Sequence, residues 1–509
     1  MKKKLLWLLL AACVVIFPLT AKETKAETEG DWEFSYYNPG VSVDAYNGTD
    51  ENVVVPEKLG GEDVKVIDGR AFSENENVKT VKLPSSVTYI GEWAFSGCTS
   101  LTEITIPSSV TYIGENTFSG CTSLTEVTIP SSITSIGMWA FSRCTSLTEI
   151  TIPSSVTEIE NGAFSRCTSL SKITIPSSVT RIGDGAFSGC TSLSKITIPS
   201  SVLYIGKEAF AGTKWLSDKQ NENPYVVINE ILIDVSKAGT YLNIPDTVKK
   251  IRCDIPENVV NVTLSSSTNK IHSYMFADCK SLKKITIPSS VTYIGDNAFS
   301  GCASLTEITI PSSVTDIGDG AFSMCMSLTE ITIPSSVTYI GYKAFSRCES
   351  LTEITVPSSV TYIGQEAFAE TKWLSDKQNE NPYVVINGIL IDVSKVGTNL
   401  NIPDTVKEIS CDIPKNIVSV TMPSSITQIY SYMFADCILL KKITIPSSIT
   451  SIGDGAFSGC TSLETIEMPE TVDLMKISYF SGTKWLENNL VDGKYLVVNK
   501  VQFTRDYTG

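Results

Sequence analysis

Histidine is almost missing from this 509-residue chain: His272 is the only one. A His-based catalytic triad could use that residue alone, and a metal site built from several imidazoles is excluded. Positive charge is also short. There are 40 Lys and Arg against 55 Asp and Glu, a formal net charge of −15. That balance argues against nucleic acid as a partner, because phosphates are held by cationic side chains that displace counterions. It argues equally against electrostatic adsorption to anionic lipid.

Long apolar runs are scarce too. Leu5 to Leu19 is nearly continuous and follows Lys2, Lys3 and Lys4. It is short for a transmembrane helix and suits a secretory signal segment. Small residues in Thr24-Lys25-Ala26 predict cleavage after Ala26, with a lipoprotein box at Leu10-Ala11-Ala12-Cys13 as the alternative. Removing residues 1–26 takes away five Lys and one Glu, which lowers the net charge from −15 to −19. The expectation is a secreted or cell-surface protein with no transmembrane span in the mature chain.

What the sequence has in abundance is repetition, and repetition decides the fold. Residues 101–123 read LTEITIPSSVTYIGENTFSGCTS, and the next 23 read LTEVTIPSSITSIGMWAFSRCTS. One phenylalanine marks each unit: Phe72, Phe95, Phe118, Phe141, Phe164, Phe187 and Phe210. The series resumes at Phe276 to Phe368 and again at Phe434 to Phe480. A second period of 158 residues is nested above it, since residues 213–229 recur letter for letter at 371–387.

Within a unit, Leu101, Ile104 and Ile106 alternate with polar residues as a short strand with one face inward. Pro107 cannot donate to a ladder and ends the strand. Ser108 and Ser109 can satisfy loop backbone groups. Val110 and Ile113 give a second short extended segment. Gly114 permits a bend, and Phe118 with Cys121 closes the coil through a short helical or 3₁₀ turn. One coil cannot bury this face, but stacked coils can.

The predicted fold is therefore a mainly β solenoid of short parallel strands in 23-residue coils. Its expected layout begins with a signal peptide at 1–26 and an N-terminal cap at 27–66. Repeat arrays follow at 67–212, 242–370 and 400–482, with hairpin inserts at 213–241 and 371–399 and a terminal hairpin or cap at 483–509. In the inserts, residues 226–233 read as two strands about a tight turn. The second copy has Asn387-Gly388 at that turn, a dipeptide suited to positive φ. Each hairpin is expected to project from the solenoid edge.

The unit L-x-x-I-x-I-P-S-S-V-x-x-I-G-x-x-A-F-x-x-C resembles the BspA-like class of leucine-rich repeats over about residues 50–485. The opening YNGTDENVVVPEKLGGEDVKVIDGRAF resembles that class's entry to the array. The resemblance implies a secreted or surface-displayed protein of bacteria or parasitic protists. It also implies an adhesin-like role in binding an extracellular protein or a microbial surface ligand, without catalysis or cofactor. A surface spacer with no specific ligand is the alternative.

Eleven cysteines share one repeat position, among them Cys98, Cys121 and Cys144 beside Phe95, Phe118 and Phe141. They read as buried free thiols of a structural ladder, with bridging or metal binding as lesser alternatives. A strand column carries Glu103, Glu126, Glu149, Lys172 and Lys195, then Glu307, Glu330 and Glu353. It reads as a solvated face. One further position varies while its neighbours do not, and holds Tyr89, Tyr112, Tyr204, Tyr293, Tyr339 and Tyr362. Exposed tyrosine offers large contact area at low entropy cost, so this column and the Glu/Lys column are the candidate binding surface, with partial burial of the tyrosines between stacked coils as the other reading. His272 lies at the position of Gly114 and reads as structural. The sequence leaves the oligomeric state open.

Overall fold

The computed structural model describes residues 26–467, 477–491, 495–498 and 501–504. Residues 1–25 of the signal segment, with Cys13, lie outside the described residues, as do residues 499–500 within the terminal hairpin or cap. The chain divides into two compact units, one ending at Asn223 and one beginning at Pro224. Each is a β-solenoid built from the same coil.

Every full coil contributes two strands to two separate parallel ladders. The first is a short strand such as Glu103–Thr105, which pairs in register with Glu126–Thr128. The second is shorter still, such as Glu158–Ile159, which pairs with Arg181–Ile182. Seven first-ladder strands lie in the first unit, from Asn52–Val54 to Lys195–Thr197, and ten lie in the second, from Tyr241–Asn243 to Thr465–Glu467. Alternation places Ile104 and Ile106 in the core and leaves Glu103 and Thr105 exposed.

The serines of the Pro-Ser-Ser turn act between coils. Ser155 Oγ donates to the Ile133 carbonyl at 2.6 Å, and Ser178 Oγ to Val156 at 2.6 Å. Each turn is thus satisfied by the coil before it. The glycine at position 137 has a steric cause. A Cβ there would lie 2.6 Å from the Ile113 carbonyl oxygen of the preceding coil.

A third set of bonds holds the phenylalanine turns. Phe95 N–H donates to Thr117 O at 2.9 Å, and Phe141 N–H to Ala163 O at 2.8 Å. Because these donors point to the next coil, the segment runs as successive tight turns with a left-handed residue, such as Gly97 at φ 73°. A 3₁₀ helix occurs at Ile477–Phe480. The rings stack in runs of seven, five and three. Within each run the centroids lie 4.9–5.6 Å apart and the planes within 18° of parallel.

At the N-terminal end, Glu27–Glu29, Trp32–Tyr36 and Val41–Tyr46 form an antiparallel meander. It joins the second ladder through Glu62–Ile67. Tyr46 stacks on Phe72 at 5.4 Å and Trp32 meets it edge-on at 6.0 Å, so the first ring is covered.

The inserts differ from the sequence expectation in two ways. Residues 214–222 and 372–380 are helices, each capped by a threonine. Thr213 Oγ1 accepts the Leu216 N–H at 3.1 Å, and Thr371 Oγ1 does the same for Leu374. A nine-residue helix with two buried apolar side chains leaves little periodicity to read. The hairpins exist, with Val384–Ile386 antiparallel to Ile389–Asp392 about Asn387 and Gly388 at φ 53° and 84°. They do not project. Ile389–Asp392 pairs in parallel with Glu408–Ile409 and is a rung of the second ladder, because Ile389, Leu390 and Ile391 all have core to bury.

The stack predicts its own sensitivity. Phe164→Ala, in the middle of the seven-ring run, should cost about 3–5 kcal/mol in urea unfolding. Glu126→Ala on the exposed ladder should stay within about 0.5 kcal/mol.

Candidate binding surface

The inward face of the coil is almost invariant, so chemistry that differs between coils sits on outward positions. The first ladder carries Glu103, Glu126, Glu149, Lys172 and Lys195 in the first unit and Lys284, Glu307, Glu330 and Glu353 in the second. All of these are exposed. Register pairing sets Glu103 beside Glu126, Glu149 beside Lys172, and Lys172 beside Lys195. A column of exposed threonines, Thr105, Thr128, Thr151, Thr174 and Thr197, runs alongside.

The tyrosines lie on the second ladder. The fold therefore gathers the two candidate sets into two columns and does not merge them into one patch. In the second unit the order is Lys270, Tyr293, Asp316, Tyr339 and Tyr362, one residue before a buried Ile in each coil. Tyr89 and Tyr362 are 44% and 40% exposed, while Tyr112, Tyr204, Tyr293 and Tyr339 are half-buried between coils. Tyr339 and Tyr362 stack face to face at 4.7 Å, and the Arg181 guanidinium lies 5.0 Å from the Tyr204 ring centre.

The Tyr112 and Tyr339 phenols stay neutral. Burial, then the Glu160 and Glu92 carboxylates, push Tyr112 up to about 12. Burial followed by the Asp319 carboxylate raises Tyr339. Asp296 and Asp319 also have structural duties. Asp296 Oδ1 accepts the Asp319 N–H at 3.0 Å, and Asp319 Oδ1 accepts the Tyr342 N–H at 2.8 Å. The tyrosine column is thus an aromatic strip with an acidic rim.

A further set of exposed aromatics lies outside both columns. Trp93, Trp139, Tyr274 and Tyr432 share one coil position, and all have positive φ, 63°, 50°, 61° and 59°. Bulky residues adopt that conformation only when something holds them there. Trp139 lies over Gly162 of the next coil, and Tyr432 over Gly455. The recurring glycine at this position was the available signal, since it marks a left-handed residue.

The eleven ladder cysteines are buried and unbridged. Most have an unexpected partner. The Cys98 Sγ donates to the Phe72 carbonyl of the preceding coil at 3.0 Å, Cys121 to Phe95 at 3.1 Å and Cys144 to Phe118 at 3.2 Å. Burial pushes the Cys98 thiol up to about 12 and raises Cys121 and Cys144 as well, so these thiols remain protonated. His272 is exposed. Partial desolvation, then the charges of Arg252 and Lys270, hold its pKa below the usual value. Among the described residues, no group of three or more His, Cys, Asp or Glu side chains is arranged to hold a metal ion. No helix among them is long and apolar enough to cross a membrane. A cavity of about 140 Å³ beside Phe368, Leu374 and Cys411 is smaller than ordinary ligand pockets of about 300–1,000 Å³.

The profile of the BspA type leucine rich repeat region matches residues 51–171, 112–230, 140–259, 253–375 and 395–506. No curated protein matches. Among solved structures, a leucine-rich repeat protein from Bacteroides ovatus is 25% identical. That match covers 92% of this chain and 100% of the other, with a TM-score of 0.31. A leucine rich cell surface protein from Faecalibacterium prausnitzii is 26% identical over 91% and 93% of the two chains, with a TM-score of 0.29. A leucine-rich repeat protein from Eubacterium ventriosum is 23% identical over 94% and 99%, with a TM-score of 0.27.

The thiol ladder gives a direct check. Because thiolate is the reactive form, Cys98, Cys121 and Cys144 should resist a thiol reagent at mildly alkaline pH in the folded protein and react fully once it is denatured. Mass spectrometry of the labelled peptides reads the difference. Rapid labelling of Cys144 in the native state would contradict this assignment.

Proposed function

Since the chain belongs to the BspA type leucine-rich repeat family, we propose that it is an exported, non-catalytic protein that binds a macromolecular partner outside the cell, in the manner of an adhesin. Leucine-rich repeat solenoids serve as protein-interaction scaffolds because stacking generates a long, regular surface. The observation that carries the reading is the contrast between an invariant buried face and outward columns that change from coil to coil, above all the Tyr column. Within it Tyr339 stacks on Tyr362 and Tyr204 meets Arg181, so for these rings little side-chain freedom is lost on contact. Export is supported by the N-terminal sequence, and contact over a wide area suits the long, regular surface of stacked coils. Near-identical coils favour the second reading, a surface spacer, because specific sites usually need differences between coils.

The full chain should be tested against immobilised matrix proteins and whole microbes at two salt concentrations, since an acidic surface attracts basic proteins unspecifically. Saturable, salt-resistant binding to one partner is expected. Tyr339→Ala with Tyr362→Ala should weaken it by about 2 kcal/mol or more, roughly thirtyfold, as for interface anchors. Removal of one 23-residue coil should abolish a register-dependent interface. A folded chain that binds none of the panel, or that tolerates coil removal, supports the spacer.

A further inference from the structure

We propose that the strand face of the first unit pairs with the same face of a second copy of this chain. The charges on that face are ordered in blocks. Along successive coils run Glu103 and Glu126, paired in register, then Glu149, Lys172 and Lys195, paired in register on the adjoining strands, all exposed. Among the described residues, none of these five side chains forms an ion pair within the chain. The threonines beside them are small and uniform, so nothing bulky in that column separates two such faces.

Two copies can meet face to face about a two-fold axis in either of two directions. An axis along the stack opposes like charges, Glu to Glu and Lys to Lys. An axis along the strands reverses one stripe. Placed between the Glu149 and Lys172 rungs, it sets Glu126 opposite the second copy's Lys195 and Glu149 opposite its Lys172. Symmetry repeats both pairs. Four successive rungs are then complementary, over about 14 Å at the usual strand spacing of about 4.8 Å. The charge order selects this dyad. The second unit has Lys284, Glu307, Glu330 and Glu353 in its column and, past the insert, Lys442. No two neighbouring Glu rungs there adjoin two neighbouring Lys rungs, so it offers no such four-rung match to itself.

Exposed ion pairs are individually weak and screened by salt. The association is therefore reversible, concentration-dependent and lost as salt rises. It does not rest on the function proposed above, because a monomer can still bind a foreign partner.

The test is sedimentation of the full chain at about 50 mM and about 500 mM salt, where the Debye length falls from roughly 14 Å to 4 Å. Lys172→Glu with Lys195→Glu, and separately Glu126→Lys with Glu149→Lys, should each lower self-association at least tenfold, by the like-charge opposition they create at every rung. An equimolar mixture of the two variants should restore it as a heterodimer, although both remain strongly negative overall. Glu330→Gln in the second unit should change nothing. A zero-length carbodiimide should join Glu126 to Lys195, which lie three rungs apart within one chain and meet only between copies. A chain that stays monomeric at every concentration, or a variant mixture that fails to recover, overturns the proposal and leaves the binding of other partners untouched.

Discussion

The structure depends on one spacing, the rise from coil to coil. Hydrogen bonds of the two strand ladders fix it near 4.8 Å. Everything else in the coil must repeat at a compatible distance or be excluded. The phenylalanine rings meet this constraint by offset stacking. Their planes are nearly parallel, yet the centroids lie 5.2–5.6 Å apart through the middle of the runs, which requires lateral slip rather than a face-on sandwich. The same spacing lets a thiol on one coil reach the phenylalanine carbonyl of the coil before it. Backbone N–H, serine hydroxyl and cysteine thiol thus all bond to a neighbouring coil, and no coil is complete alone.

A stack so regular must be closed at its ends, where the pattern breaks. The first ring meets Tyr46 and Trp32. The last ring of each run meets a tryptophan, Trp215 on Phe210 at 4.9 Å, Trp373 on Phe368 at 5.1 Å and Trp485 on Phe480 at 4.8 Å. These indoles lie at 56–61° to the rings they cover and so end the stacking rather than extend it. The backbone N–H of each of these tryptophans also donates to a leucine carbonyl of the last full coil, as Trp215 does to Leu193 at 2.8 Å. The helix in each insert exists to deliver that indole, and its threonine cap fixes where it starts.

Much of this was legible in the sequence. A 23-residue period with fixed Phe, Pro and Gly positions leaves a solenoid as the one way to bury the apolar face, and inward and outward residues follow from strand alternation. The helix at 214–222 was not legible because it rests on a cap and two anchors, Trp215 and Leu216, with polar residues elsewhere. The thiol bonds were not legible either. Cysteine at a core position is equally compatible with plain packing, and only the direction of the Sγ toward the preceding coil distinguishes the two. The Tyr column was visible as variation. Its division into exposed and half-buried rings depends on which residue the adjacent coil supplies, and that is a property of pairs of coils.

Repetition carries a hazard that the inserts counter. Two coils differing at one or two outward positions can exchange partners by a slip of 23 residues, with nearly the same core contacts. Nothing in the Phe, Ile or Cys columns opposes that slip. The contacts that do oppose it are those that occur once in a block. Asn387 donates from its side chain to Pro357 O and Val360 O, Tyr383 Oη accepts the Asn401 N–H, and Trp373 closes Phe368. A slipped chain would leave that tryptophan against the wrong ring and those groups without their partners. Register is therefore set at the interruptions and transmitted through the repeats. The outward residues, Glu and Lys on one ladder and Tyr on the other, hold defined places in space only because the inserts remove the freedom that the repeats would otherwise permit.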